Sequence, residues 1–197
     1  MTCEYGGSKS RLCKNEECNN CAERSFASHK WAQNWNYERN DGIRPRDVFK
    51  KSGKKYWFTC PDCKHDFSKE PGNVVKIKTV CSYCASKLFC SEEKQCKICF
   101  EKSFASHPYC KHWNYEMNSI NPSMLSKDSD TKFWFDCPIC LHTYDSTLGN
   151  ISSGSRCPYC SSPPKRLCSK DDCELCFNKS LASVEYVVKN WDSGKNK

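Results

Sequence analysis

The chain has 197 residues and a formal net charge of +8, and only 38% of it is hydrophobic even though its 19 cysteines are counted in that share. Without the cysteines, the aliphatic and aromatic supply is thin for one large core, so the composition favours several very small domains held by disulfides or metals. No run approaches the roughly 18 apolar residues of a membrane span, and the opening Met1-Thr-Cys-Glu-Tyr lacks the apolar centre of a secretory leader. The expectation is therefore an intracellular, reducing location rather than secretion. There, cysteines grouped as C-x-x-C are metal ligands, and an odd cysteine total fits a complete disulfide framework poorly.

In chain order, residues 1–12 read as the degenerate tail of a preceding repeat: Cys3-Glu-Tyr-Gly6 matches Cys81-Ser-Tyr-Cys84, with Gly6 where a second ligand would stand. Residues 13–89 form a first zinc repeat. It opens on Cys13, Cys18 and Cys21, continues into a short helix predicted over Ser25–Trp35, and passes a basic stretch to a strand at Tyr56–Thr59. That strand runs into the Cys60-Pro-Asp-Cys63 turn and returns through Asp66-Phe-Ser as a hairpin, before Cys81 and Cys84. Residues 90–167 repeat this order with Cys90, Cys96 and Cys99, a strand at Phe133–Phe135, Cys137 and Cys140, a return through Thr143-Tyr-Asp, and Cys157 and Cys160; the period is 77 or 78 residues. Pro163-Pro164 reads as a stiff connector. Residues 168–197 carry Cys168, Cys173 and Cys176 and read as an incomplete third repeat.

Two residues between cysteines let one tight turn aim both sulfurs at one ion, and two such turns complete a tetrahedral thiolate site, which zinc prefers. Cys60, Cys63, Cys81 and Cys84 are one such site; Cys137, Cys140, Cys157 and Cys160 are another. All four ligands come from protein, leaving no position for a reacting water, so the sites read as structural. The three-cysteine clusters need a fourth ligand. His29 and His107 each follow the last cysteine by eight residues, which predicts Cys13, Cys18, Cys21 with His29 and Cys90, Cys96, Cys99 with His107. In the third cluster Val184 replaces the histidine; either Glu185 supplies an oxygen, or Cys168, Cys173 and Cys176 form a degraded site. Four zinc sites are expected, with an incomplete fifth. His65 and His142 are expected to pack or to donate to a ligand sulfur, and Cys110 to be a small buried side chain.

The net charge is a weak guide to partners, because a four-cysteine zinc site carries about −2 and a three-cysteine, one-histidine site about −1, leaving a loaded chain near roughly +2. A local cluster survives this correction: Arg44, Arg46, Lys50, Lys51, Lys54 and Lys55 lie beside Tyr56 and Trp57, the mixture of cations and aromatic faces that phosphates and single strands favour. Trp57, Phe58, Trp134 and Phe135 are expected to form the core of the tiny domains.

Trp35 to Asn40, Pro45-Arg-Asp-Val48, Trp57 to His65 and Cys81 to Cys84, echoed by Trp134 to His142 and Cys157-Pro-Tyr-Cys160, resemble the zinc-ribbon, treble-clef-like tandem repeats of large DNA viruses and some bacteria. The second copy departs at Pro122-Ser-Met-Leu125. The resemblance implies small zinc-stabilised α+β repeats, with β-hairpins, short helices and little conventional hydrophobic core. It also implies zinc as the cofactor. The expected function is a non-catalytic nucleic-acid-binding module, with no membrane and no small-molecule substrate; the alternative is a scaffold contacting other proteins of a viral assembly, and an enzyme is the remote case.

Overall fold

A computed structural model describes residue 3 and residues 11–91, 96–170 and 172–195; of the predicted tail over residues 1–12, residues 1, 2 and 4–10, with Gly6, lie outside them. The chain divides into two compact units, residues 1–88 and 89–197. Among the described residues no helix is long and apolar enough to cross a membrane.

The first unit contains α1 (Asn19–Arg24), hairpin strands β1 (Tyr56–Thr59) and β2 (Asp66–Lys69), and the single turn α2 (Pro71–Val74). The second repeats the order with α3 (Lys97–Lys102), β3 (Lys132–Asp136), β4 (Thr143–Thr147) and α4 (Leu148–Ser152), then adds α5 (Glu174–Asn178) and α6 (Glu185–Asn190). Both hairpins are antiparallel, with Phe58 opposite Phe67 and Phe135 opposite Tyr144. The expected helix over Ser25–Trp35 is instead two 3₁₀ segments, Phe26–Ser28 and Lys30–Asn34, separated at His29, whose backbone is extended. The Pro163-Pro164 stretch is no extended rod: Lys165 N–H reaches back to Pro158 O at 3.0 Å.

Each core is a knot of rings. Phe58 is fully buried and lies 5.5, 5.3 and 5.8 Å from Phe26, Trp35 and Phe67. Phe135 meets Phe104, Trp113 and Tyr144 at 5.8, 5.5 and 6.0 Å. Because successive strand residues face opposite ways, Phe58 and Phe135 point inward while their neighbours cannot. Trp134 is 36% exposed, and Trp57 carries the Arg39 guanidinium at 3.4 Å from its ring. Trp134 is thus a surface residue and Trp57 a half-buried one, contrary to the sequence expectation that both are core. A buried asparagine explains the Trp35-to-Asn40 motif. The Asn40 amide donates to Trp57 O and accepts from Trp57 N–H, both at 2.9 Å, pairing with the edge of β1 as a strand would. Asn118 does the same to Trp134 at 2.8 and 3.0 Å.

Candidate metal centres

The first turn of each hairpin aims its cysteines locally. Cys60 N–H donates to His65 O at 2.9 Å and Cys137 N–H to His142 O at 3.0 Å. Closing so tight a loop forces the residue after the second cysteine into left-handed backbone, φ +61° at Lys64 and +58° at Leu141. The second pair of each group arrives from the segment after the hairpin. Cys60 Sγ then lies 3.6 Å from Cys84 Sγ, and Cys63 Sγ 3.6 Å from Cys81 Sγ; in the second unit Cys137–Cys160 and Cys140–Cys157 stand at 3.6 and 3.5 Å.

The three-cysteine clusters close differently from the sequence expectation. In the first unit the fourth ligand is Cys3, with its Sγ 3.5 Å from Cys21 Sγ, and the group is Cys3, Cys13, Cys18 and Cys21. His29 stands outside this group. Its ring Nδ1 accepts from Trp31 N–H at 3.3 Å and caps the second 3₁₀ segment. His107 does the same for Tyr109 N–H at 3.1 Å and stacks on Phe104. In the second unit Cys90 Sγ and Cys99 Sγ lie 3.6 Å apart, with Cys96 at the start of α3.

The third cluster is not degraded. His142 Nε2 sits 3.5 Å from both Cys173 Sγ and Cys176 Sγ, completing a group with Cys168. Neither Val184 nor Glu185 takes part; Glu185 pairs with Lys189. His142, expected to pack or support, is therefore a ligand as well as a ring stacked on Tyr159 at 4.2 Å. His65 occupies the matching register position and stacks on Tyr83 at the same spacing. The missed signal was in the third copy: its cysteine spacing is intact although the downstream histidine is absent, so the ligand had to come from upstream, where C-x-x-C-x-H recurs.

These groups fit zinc. A tetrahedral ion with bonds of about 2.3 Å to sulfur and 2.0–2.1 Å to nitrogen implies S···S edges near 3.8 Å and N···S edges near 3.6 Å. The sulfurs stand within a few tenths of an ångström of those values, whereas a disulfide needs about 2.05 Å; no disulfide links the described cysteines. The chain therefore carries multiple zinc sites, each four-ligand group filling the ion's coordination. The odd cysteine, Cys110, packs against the second unit's core, and burial pushes its thiol up.

Without metal the thiols oppose one another. Burial, then the neighbouring Cys140 and Cys137 thiols, push Cys160 up to about 11, and burial also raises Cys157. Cys137 feels the same burial, but the backbone N–H groups of Cys140 and Ile139 bring it down to about 7. Cys137 thus forms a thiolate readily while Cys157 and Cys160 hold their protons until a cation offsets the mutual repulsion. Near the first group, Arg46 is buried with Nη2 3.8 Å from Cys13 Sγ and 2.8 Å from Asn15 O. Arg46 balances thiolate charge instead of facing a partner. Arg44 is committed to Asp47 and Glu16, at 3.0 and 2.7 Å. Of the predicted basic cluster, Lys50, Lys51, Lys54 and Lys55 carry no ion pair among the described residues, and Lys54 lies 5.6 Å from the Tyr56 ring centroid.

Comparison with known proteins agrees with this geometry. The family described as "Probable Treble clef zinc finger domain" matches residues 31–87 and again 109–163. The chain is 33% identical over 182 residues, 90% of its length, to "Uncharacterized protein R635" of Acanthamoeba polyphaga mimivirus, and the match spans 43% of that relative. Two matched copies, each enclosing a closed four-cysteine group, place this chain in the probable treble clef zinc finger family.

Proposed function

We propose that the chain is a non-catalytic, zinc-stapled module of a reducing compartment that binds nucleic acid. The observation that carries this reading is the segment Lys50–Lys55, where four lysines beside Tyr56 have no acidic partner among the described residues, while the arginines of the same stretch are used internally. The non-catalytic part is supported by the ligand sets: His142 completes the third cluster, which the sequence left without a certain fourth ligand, so no coordination position is left there for a reacting water. Four phosphate contacts on a single strand give a salt slope of about −2.8, so affinity falls about 50-fold between about 50 and 200 mM salt. Fluorescence anisotropy against labelled single- and double-stranded DNA should show that loss, and neutralising all four lysines to glutamine should abolish both binding and slope. Absence of binding at low salt refutes the reading.

A second reading, a scaffold that contacts protein, is favoured by an apolar hollow of about 370 Å³ in the second unit, lined by Leu181, Val188 and Trp191. Leu181 and Trp191 are 60% and 51% exposed, an arrangement that marks interaction surfaces. It predicts partner binding that is insensitive to salt and lost in Trp191→Ala.

A further inference from the structure

His29 lacks the metal role its spacing suggested, yet it lines a cleft of about 770 Å³ in the first unit, together with Arg24, Lys50, Lys51 and Ser52. From these residues we infer that the cleft is a phosphate-ester site which, on the nucleic-acid reading above, seats a backbone phosphate of the bound strand.

The frame of the cleft is built before any ligand arrives. Lys50 N–H donates to Arg24 O at 3.0 Å, tying the basic turn to the end of α1, and Gly72 N–H donates to Ser52 O at 3.0 Å from the other side. A Cβ at position 72 would come within 3.3 Å of the Lys51 and Ser52 carbonyl oxygens, so glycine permits this close approach. The Arg24 guanidinium lies 5.4 Å from the Phe49 ring centroid. Because the Nδ1 of His29 accepts from Trp31 N–H, the neutral ring carries its proton on Nε2 and is a donor there. Burial, with Lys30 and Lys50 nearby, holds this imidazole below its ordinary pKa and hence neutral at pH 7.

The donor set is therefore two ammonium groups, a guanidinium, an imidazole N–H and a hydroxyl, with Glu23 the acidic residue of the lining. Acceptor-rich dianions and diesters suit such a set. Phe49 and Val75 add apolar wall to which sugar or base can pack. The second unit does not repeat the site. Asp128 stands where Lys51 does, Lys127 Nζ is bound to Glu101 O at 2.7 Å, and Arg156 is bound to the carbonyls of Ile151 and Ser155.

The test uses the zinc-loaded full chain, ¹⁵N-labelled and titrated at low salt with inorganic phosphate, thymidine 5′-monophosphate, thymidine and a ten-residue oligothymidylate. The inference expects the amides of Phe49 to Ser52 and the His29 ring nitrogens to shift with the monophosphate and the oligonucleotide and not with thymidine. Lys51→Gln should weaken the monophosphate effect roughly tenfold, while Lys111→Gln, an exposed lysine of the second unit, leaves it unchanged. Shifts with inorganic phosphate or the monophosphate, but no oligonucleotide binding, support the cleft with free phosphate esters as its source and overturn the nucleic-acid reading. Oligonucleotide binding that leaves these signals still, and survives Lys51→Gln, overturns the cleft and keeps that reading. No shift with any phosphate overturns the cleft.

Discussion

Replacing His142 with alanine isolates the ligand that the third cluster acquires from the β3–β4 hairpin. The ring nitrogen at 3.5 Å from two sulfurs is one donor of four. Structural zinc sites contribute about 10–16 kcal/mol in total, so one ligand accounts for about 3 kcal/mol and its loss lowers affinity about 100-fold, somewhat less if water fills the gap. His107→Ala is the matched control. It removes the cap on Tyr109 N–H and the ring stacked on Phe104, touching no metal group, and costs about 1–2 kcal/mol of stability. The assay is cobalt(II) substitution, reading thiolate-to-metal charge transfer and the d–d bands, followed by competition with a chelator of known affinity. His142→Ala should shift one class of sites to weak binding and lower its d–d intensity as a position opens to water; His107→Ala should leave the spectrum unchanged. The reverse pattern, one site lost on removing His107 and none on removing His142, would refute the assignment.

Four further outcomes follow from the same structure. Zinc binding at pH 7.5, followed by calorimetry in two buffers of different ionisation enthalpy, should release more than two protons per ion, because thiols such as Cys157 and Cys160 hold theirs in the metal-free state; fewer than one would contradict it. The sign with pH differs between forms: the metal-free fold loses stability as pH rises from about 8.5, the unfolded thiol value, to about 11, whereas the zinc-loaded fold loses metal as pH falls. Because the free energy of metal binding is largely the free energy of folding in modules this small, chelation should unfold the chain at neutral pH, seen as loss of native circular dichroism. Asn118→Ala leaves the Trp134 N–H and carbonyl without their surrogate strand partner and should cost about 2 kcal/mol in denaturant unfolding, while an unchanged midpoint would count against the pairing. Lys132 and Arg166 hold the Asp145 carboxyl down to about 2; this stabilisation is present above the unfolded value near 4 and is lost as pH falls towards 2. Both cations are largely exposed, so Asp145→Asn should cost only about 1 kcal/mol by thermal melting at pH 7.

Cysteine pairs, hairpins and repeat period were legible in the sequence because each is a local relation. A C-x-x-C turn needs only four consecutive residues, and Tyr56–Thr59 with its return at Asp66 needs only a turn between two short runs. Even the alternation that turns Trp57 and Trp134 outward is written in the strand period, although a thin apolar supply made core the natural expectation for every large ring. The fourth ligands of the three-cysteine clusters were another matter. His29 was near in sequence and of the right chemistry, but its extended backbone turns the ring to cap Trp31, while Cys3 and His142 stand ten or more positions before the first cysteine of the clusters they join. Arg44 and Arg46 could not be separated from Lys50 to Lys55 by composition; packing did so, by setting one beside Asp47 and Glu16 and burying the other against Cys13. Residue types and their local spacing point to zinc, since the thin apolar supply leaves each module only a small aromatic core. Which residues complete each coordination sphere, and which cations remain for a partner, depends on distances between segments far apart in the chain, and those exist only once it has folded.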